Sequence, residues 1–160
     1  MFDLDDTPAY AGQTSNLRNR LRQHFVRQDS SVSSYGRLDP WDIATVAWWI
    51  TDQTDRAEQK LLADFEPYLN FADGNNITVQ IDTIDTGTPN GTFALMSKDE
   101  QSFRRQPYNR VKQKIEHINR MVDKIKYANH SDDTRRTLYE HKRILEQNLE
   151  EFLGVEESDN

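Results

Sequence analysis

The apolar positions of this chain fall into short periodic runs separated by polar turns. Leu17, Leu21 and Phe25 repeat every four residues, the spacing of one helix face, and Ser15 or Asn16 can cap the helix this predicts over 17–25. Asp39-Pro40 interrupts the chain before a β-branched and aromatic run at 43–50, which predicts a strand. In that strand Trp48 and Trp49 point to opposite faces, so one is expected to pack under a helix; core packing, not base stacking, is their expected role. A helix follows, capped near Asp55, ended by Pro67 and marked by Leu61, Leu62 and Phe65.

The second half reads differently. Residues 72–76 form a linker, 77–81 alternate as a half-buried strand, and the turn at 87–91 leads into a strand at 92–96, so a β-hairpin is expected. Residues 97–107 read as a polar connector. Two amphipathic helices follow. The first carries Val111, Ile115, Ile118, Met121 or Val122, and Ile125; the second is capped by Ser131 or Asp132, carries Leu138, Ile144 or Leu145, Leu149, Phe152 and Leu153, and stops at Gly154. Neither holds alone, which predicts an antiparallel pair. The expected fold is α+β: a small antiparallel or mixed sheet flanked by helices over 1–71, a β-hairpin and connector over 72–107, a helical hairpin over 108–154 and an acidic tail at 155–160.

Composition narrows the class. The 160 residues are 35% hydrophobic with net charge −7, and the mean hydropathy is −0.91. No apolar run approaches the roughly 20 residues of a membrane helix, and no signal pattern is visible, so a cytoplasmic protein without a membrane partner is expected. With no cysteine, any metal must be held by oxygen or imidazole ligands.

The candidate chemistry lies near the start. Arg20 and His24 stand four residues apart on one helix face and can meet the same anion; Arg18 and Arg22 form a second basic pair on another face. Glu58 precedes Leu61, Leu62 and Phe65 by three, four and seven residues, at the border of the apolar stripe. A carboxylate there either reaches water or is satisfied by a cation. His117, His130 and His141 show no metal-ligand spacing and read as surface or helix-pair residues.

Tyr10-Ala11-Gly12, then Arg20 eight residues after Gly12, His24 four further, and Glu58 nine before Pro67 with Asn70 three after it make a set of spacings. In this the chain resembles the GIY-YIG nuclease family over roughly residues 1–71. The family's opening Gly-Ile-Tyr strand would precede Tyr10 by ten or more residues, where only Met1-Phe2 stand before the turn-like 3–8; the resemblance begins at the end of that strand. The second motif reads Tyr-Ala-Gly in place of Tyr-Ile-Gly. The resemblance implies a metal-dependent DNA endonuclease. Glu58 would hold one divalent cation, Mg²⁺ or another such as Mn²⁺. Arg20 would clamp the phosphate, Tyr10 and His24 would handle the proton of the attacking water, and Gly12 and Asn70 would support the site.

The run 104–126 is basic in an acidic chain: Arg104, Arg105, Arg110, Lys112, Lys114, Arg120, Lys124 and Lys126 face only Glu116 and Asp123. It is either a grip on the DNA backbone or a solvated helix face. Two further alternatives stand beside the nuclease: a GIY-YIG-like domain that binds DNA with little or no cutting, and an interaction module in which 108–153 pairs with a second copy or a protein partner.

Overall fold

The computed structural model describes residues 1–71, 86–126 and 130–154. The fold is α+β, built on a small antiparallel sheet. Strand β1 (Phe2–Asp3) pairs with β2 (Ile43–Trp48) through Phe2↔Thr45 and Asp3↔Ile43, and β2 pairs with β3 (Gly91–Ala94) from Thr45↔Ala94 to Trp48↔Gly91. On the free flank of β1 the chain doubles back. Phe2 bridges Pro8, the Ala9 amide donates to the Met1 carbonyl at 2.9 Å, and the Met1 ammonium donates to the Tyr10 carbonyl at 2.7 Å.

Helix α1 (Leu17–Arg22) is capped by the Asn16 side chain, which accepts from the Asn19 amide at 2.9 Å. It runs into a π-turn, Gln23–Arg27, which ends at left-handed Gln28. Such wide turns concentrate at functional positions. A 3₁₀ segment, Ser31–Gly36, leads to β2. Helix α2 (Thr54–Phe65) ends at left-handed Glu66, before Pro67. Asp55 is not its cap: it lies in the first turn, after Gln53.

The hydrophobic core joins Ala9, Val32, Leu38, Ile43, Tyr68 and Leu69 with Ile144 from the far end of the chain. Leu17, Leu21 and Phe25 are only half-buried along its edge. The predicted strand at 77–81 lies outside the described residues. Its expected mate is β3, which extends the sheet beside β2.

The polar connector contains a helix, α3 (Lys98–Arg104). The Ser97 hydroxyl caps it by accepting from the Glu100 amide at 3.2 Å, a signature that the absence of an apolar stripe hid. Helices α4 (Pro107–Ile125) and α5 (Asp132–Leu153) form the expected antiparallel pair, with Tyr108 at the start of one against Phe152 at the end of the other. Ser131 caps α5 and Gly154 closes it. No helix among the described residues is long and apolar enough to cross a membrane.

The face that α4 buries is only partly its apolar stripe: Val111 and Met121 are buried, but charged residues share that face. Ile115 and Val122 are about half exposed, whereas Arg110, Lys114 and His117 are almost wholly buried. Buried Asp42 accepts from Arg110 and, at 2.6 Å, from Lys114; Arg110 also pairs with Asp5. Burial alone would raise the Asp42 carboxyl, but Lys114 and Arg110 more than offset it and hold the group well below the usual range. His141 Nε2 donates to the Arg37 carbonyl at 2.8 Å, so its Nδ1 is the acceptor that faces Lys114 Nζ at 3.4 Å. His117 stands edge-on to His141 and 3.5 Å from Asp39. These histidines are therefore helix-pair residues buried in a charged network, not surface residues.

This takes two residues of the basic run out of the expected DNA grip. Arg110 and Lys114 are consumed inside the fold and cannot reach a phosphate. Arg104 pairs with Glu100 and stacks over Trp41, Arg105 binds Asp6 and the Leu4 carbonyl, and Arg120 approaches Asp39. Lys112, Arg18 and Arg22 are exposed.

Candidate functional site

A cleft of about 630 Å³ opens between α1, α2 and the ends of β1 and β2. Tyr10, Gly12, Arg20, His24 and Glu58, scattered along the sequence, all line it. Asn70 stands behind: its side chain accepts from the Ala11 amide at 2.8 Å and donates to the Ala11 carbonyl at 2.9 Å, fixing the segment between Tyr10 and Gly12. The Tyr10 ring folds back over Gly12, where a Cβ would stand 2.5 Å from the Tyr10 oxygen, so any larger residue would have to displace that ring.

Arg20 Nη2 donates to the Tyr10 hydroxyl at 3.0 Å. Its Nε is buried with no hydrogen-bond partner among the described residues, a donor left for something else. The hydroxyl, acting as acceptor toward Arg20, keeps its own proton to give.

His24 sits on the π-turn, 1% exposed, with its ring 5.2 Å from that of Tyr10. Two serines set its tautomer. The Ser33 hydroxyl donates to the His24 carbonyl at 3.3 Å, so in its 2.8 Å contact with Ser30 the donor is Ser30. Ser30 must then accept from His24 Nδ1–H at 2.8 Å, which leaves the Nε2 lone pair as a base. Burial, then the Arg20 charge and the Met1 ammonium, pull the imidazole down to about 4, so it is neutral at pH 7.

Glu58 is half-buried on α2. Gln13 Nε2 donates to Glu58 Oε2 at 3.1 Å and to Asp55 Oδ1 at 2.6 Å, drawing together two carboxylates one helical turn apart. Among the described residues no set of three or more His, Cys, Asp or Glu side chains is placed to hold a metal. A cation that keeps most of its water, as Mg²⁺ does, suits a site of one or two carboxylates.

Spacing alone did not point to Gln13, Asp55, Ser30 or Ser33. For Asp55 a signal was present, three residues before Glu58 on the same helix face; the others act only through contacts the fold creates.

No protein-family model, no curated protein and no solved structure matches the chain.

Proposed function

We propose that this protein is a metal-dependent endonuclease of GIY-YIG type that hydrolyses DNA phosphodiester bonds in this cleft. The observation that carries the reading is convergence. Tyr10, Arg20, His24 and Glu58, chosen by spacing across about fifty residues, line one cavity, and Asn70 braces the loop between them. The order of segments across the sheet is in keeping with it, with the segment entering Tyr10 on one flank of β1 and β2 on the other.

Phosphodiester cleavage needs charge stabilisation on the phosphoryl oxygens, an acceptor for the proton of the attacking water and a donor for the leaving oxygen. Arg20, whose guanidinium lines the cleft, binds the phosphate. Neutral His24 takes the water's proton at Nε2. The Tyr10 hydroxyl, polarised by Arg20, donates within the site. Glu58, with Asp55 beside it, would hold Mg²⁺ or Mn²⁺, which when bound supplies neutralisation of the phosphoryl charge. DNA is the partner and the cytoplasm the setting of this activity. The exposed aromatic and aliphatic end of the helical pair, Tyr108, Phe152 and Leu153, favours an additional contact there with a second copy or a protein partner.

The test is nicking of supercoiled plasmid by the purified chain. With Mg²⁺ the open-circular form should accumulate, and excess EDTA should stop it. Nicking that continues undiminished in EDTA would contradict the metal requirement.

A further inference from the structure

The wall facing the catalytic side chains is apolar and aromatic, which a nuclease gripping an intact duplex has no use for. A duplex presents phosphates outside and base edges in its grooves, while its base faces are stacked on one another. Here Trp48, Trp49 and Phe65 line the same cleft as Arg20 and Glu58, and Ile50, 79% exposed, stands with them. Both indoles are only half-buried; Trp49 packs against Phe65 of α2, as expected of one of the pair, and each still shows surface to the cleft.

Both are also held in place. Trp49 Nε1 donates to the Thr86 carbonyl at 3.1 Å, and its ring leans on Phe65 at 6.4 Å. Trp48 lies over Gly91, where a Cβ would come within 2.2 Å of the indole, and is tilted against Phe93 at 5.7 Å. A fixed ring loses little entropy when something stacks on it. The volume, about 630 Å³, falls in the range of pockets for small ligands and single groups, roughly 300–1,000 Å³, not of a groove that embraces a double helix.

Resting on the nuclease reading above, we propose that the cleft receives an unpaired nucleotide: its base stacks on the Trp49 indole while its phosphate reaches Arg20. The substrate is therefore single-stranded or locally unpaired DNA. The charges fit, since a phosphate meets the Arg20 guanidinium that lines the cleft, and the apolar wall takes the π-face that every base offers.

The test uses the full chain carrying Glu58→Gln, which binds without cutting, in a Trp41→Phe background that removes the remaining tryptophan, an exposed one. Oligonucleotides of one length are titrated by anisotropy as a single strand, as a duplex, and as a duplex with an internal unpaired bubble, and tryptophan emission is followed in parallel. Single strand and bubble should bind at least tenfold tighter than duplex and quench the emission. Adding Trp49→Ala should lower single-strand affinity about ten- to hundredfold and leave duplex affinity unchanged, as expected for one lost base stack. Trp49→Phe, which keeps a ring, should restore most of it, separating stacking from any loss of folding seen by circular dichroism. Equal affinity for duplex and single strand, or no response to Trp49→Ala in a folded protein, overturns the inference while plasmid nicking leaves the nuclease reading intact. No binding of any DNA, together with no nicking by the wild-type chain, overturns both.

Discussion

The Nε2 lone pair of His24 is left open by two serines that no spacing rule would single out. The hydroxyl chain from Ser33 through Ser30 ends on Nδ1 and leaves Nε2 open beside Tyr10 and Arg20. Ser30→Ala removes the acceptor for Nδ1–H. We expect the Nε2–H tautomer to gain population, visible in the ¹⁵N shifts of the His24 ring, and nicking to slow by about 10²-fold, within the range that one general base supplies. Unchanged shifts and unchanged rate would remove the serines from the account. The positions that could be read from sequence were those whose spacing is local or shared with a family pattern: Arg20 and His24 one helical turn apart, Gly12 after Tyr10, Glu58 before Pro67. Ser30, Ser33 and Gln13 were not legible, because a hydroxyl or amide has no signature until the fold gives it a partner.

The elements were legible where apolar periodicity marks them. Helices α1, α2, α4 and α5 and strands β2 and β3 stand where the pattern put them, within a few residues at their ends. The pattern held only in part for orientation: on α4 Val111 and Met121 are buried while Ile115 and Val122 are exposed. Helix α4 turns Arg110, Lys114 and His117 inward because Asp42, Asp39 and Asp5 wait there, and a charge met by an opposite charge can be buried where hydropathy says it cannot. Asp42→Asn leaves two cations buried without their shared anion, so unfolding in urea should show a loss of about 3–5 kcal/mol. A loss under 1 kcal/mol would mean the network is not what fixes α4. The same network sets a pH response. His117 is lowered to about 4 by burial and by Lys114 and Arg120, against the partial opposition of Asp39, and burial and Lys114 lower His141 well below the ordinary value. The unfolded chain therefore binds protons between about pH 6.5 and 4 that the folded chain refuses, and stability falls on acidification by about 1.4 kcal/mol per pH unit for each such histidine. Asp3, raised to about 6 by burial and by Asp42, works the other way below about pH 6, because the folded chain takes its proton first. The histidines outnumber it, and the midpoint of urea unfolding should drop from pH 7 to pH 4.5; a rise would contradict the neutral assignment.

At the scale of the whole molecule the net charge is −7, and burial of Arg110 and Lys114 takes two cations of the basic run away from DNA; Arg20 stands in the cleft, and Arg18, Arg22 and Lys112 are among the exposed cations. Affinity should thus come from the cleft more than from a charged surface, and its salt dependence should be shallow, since each phosphate contact adds only about 0.7 to 0.9 to the log–log slope. The basic run looked like a footprint because sequence shows charge and not its partners; the acids that neutralise it, Asp5, Asp6 and Asp42, lie sixty or more residues away. The central claim is that Glu58 anchors the cation on which cutting depends. The most direct measurement compares wild-type chain and Glu58→Gln, purified identically, on supercoiled plasmid with Mg²⁺, after circular dichroism has shown equal folding. The substitution keeps the shape and the Gln13 contact within reach while removing the charge. The account predicts nicking by the wild type and none by the variant; equal nicking by both, or none by a folded wild type with either Mg²⁺ or Mn²⁺, would contradict it.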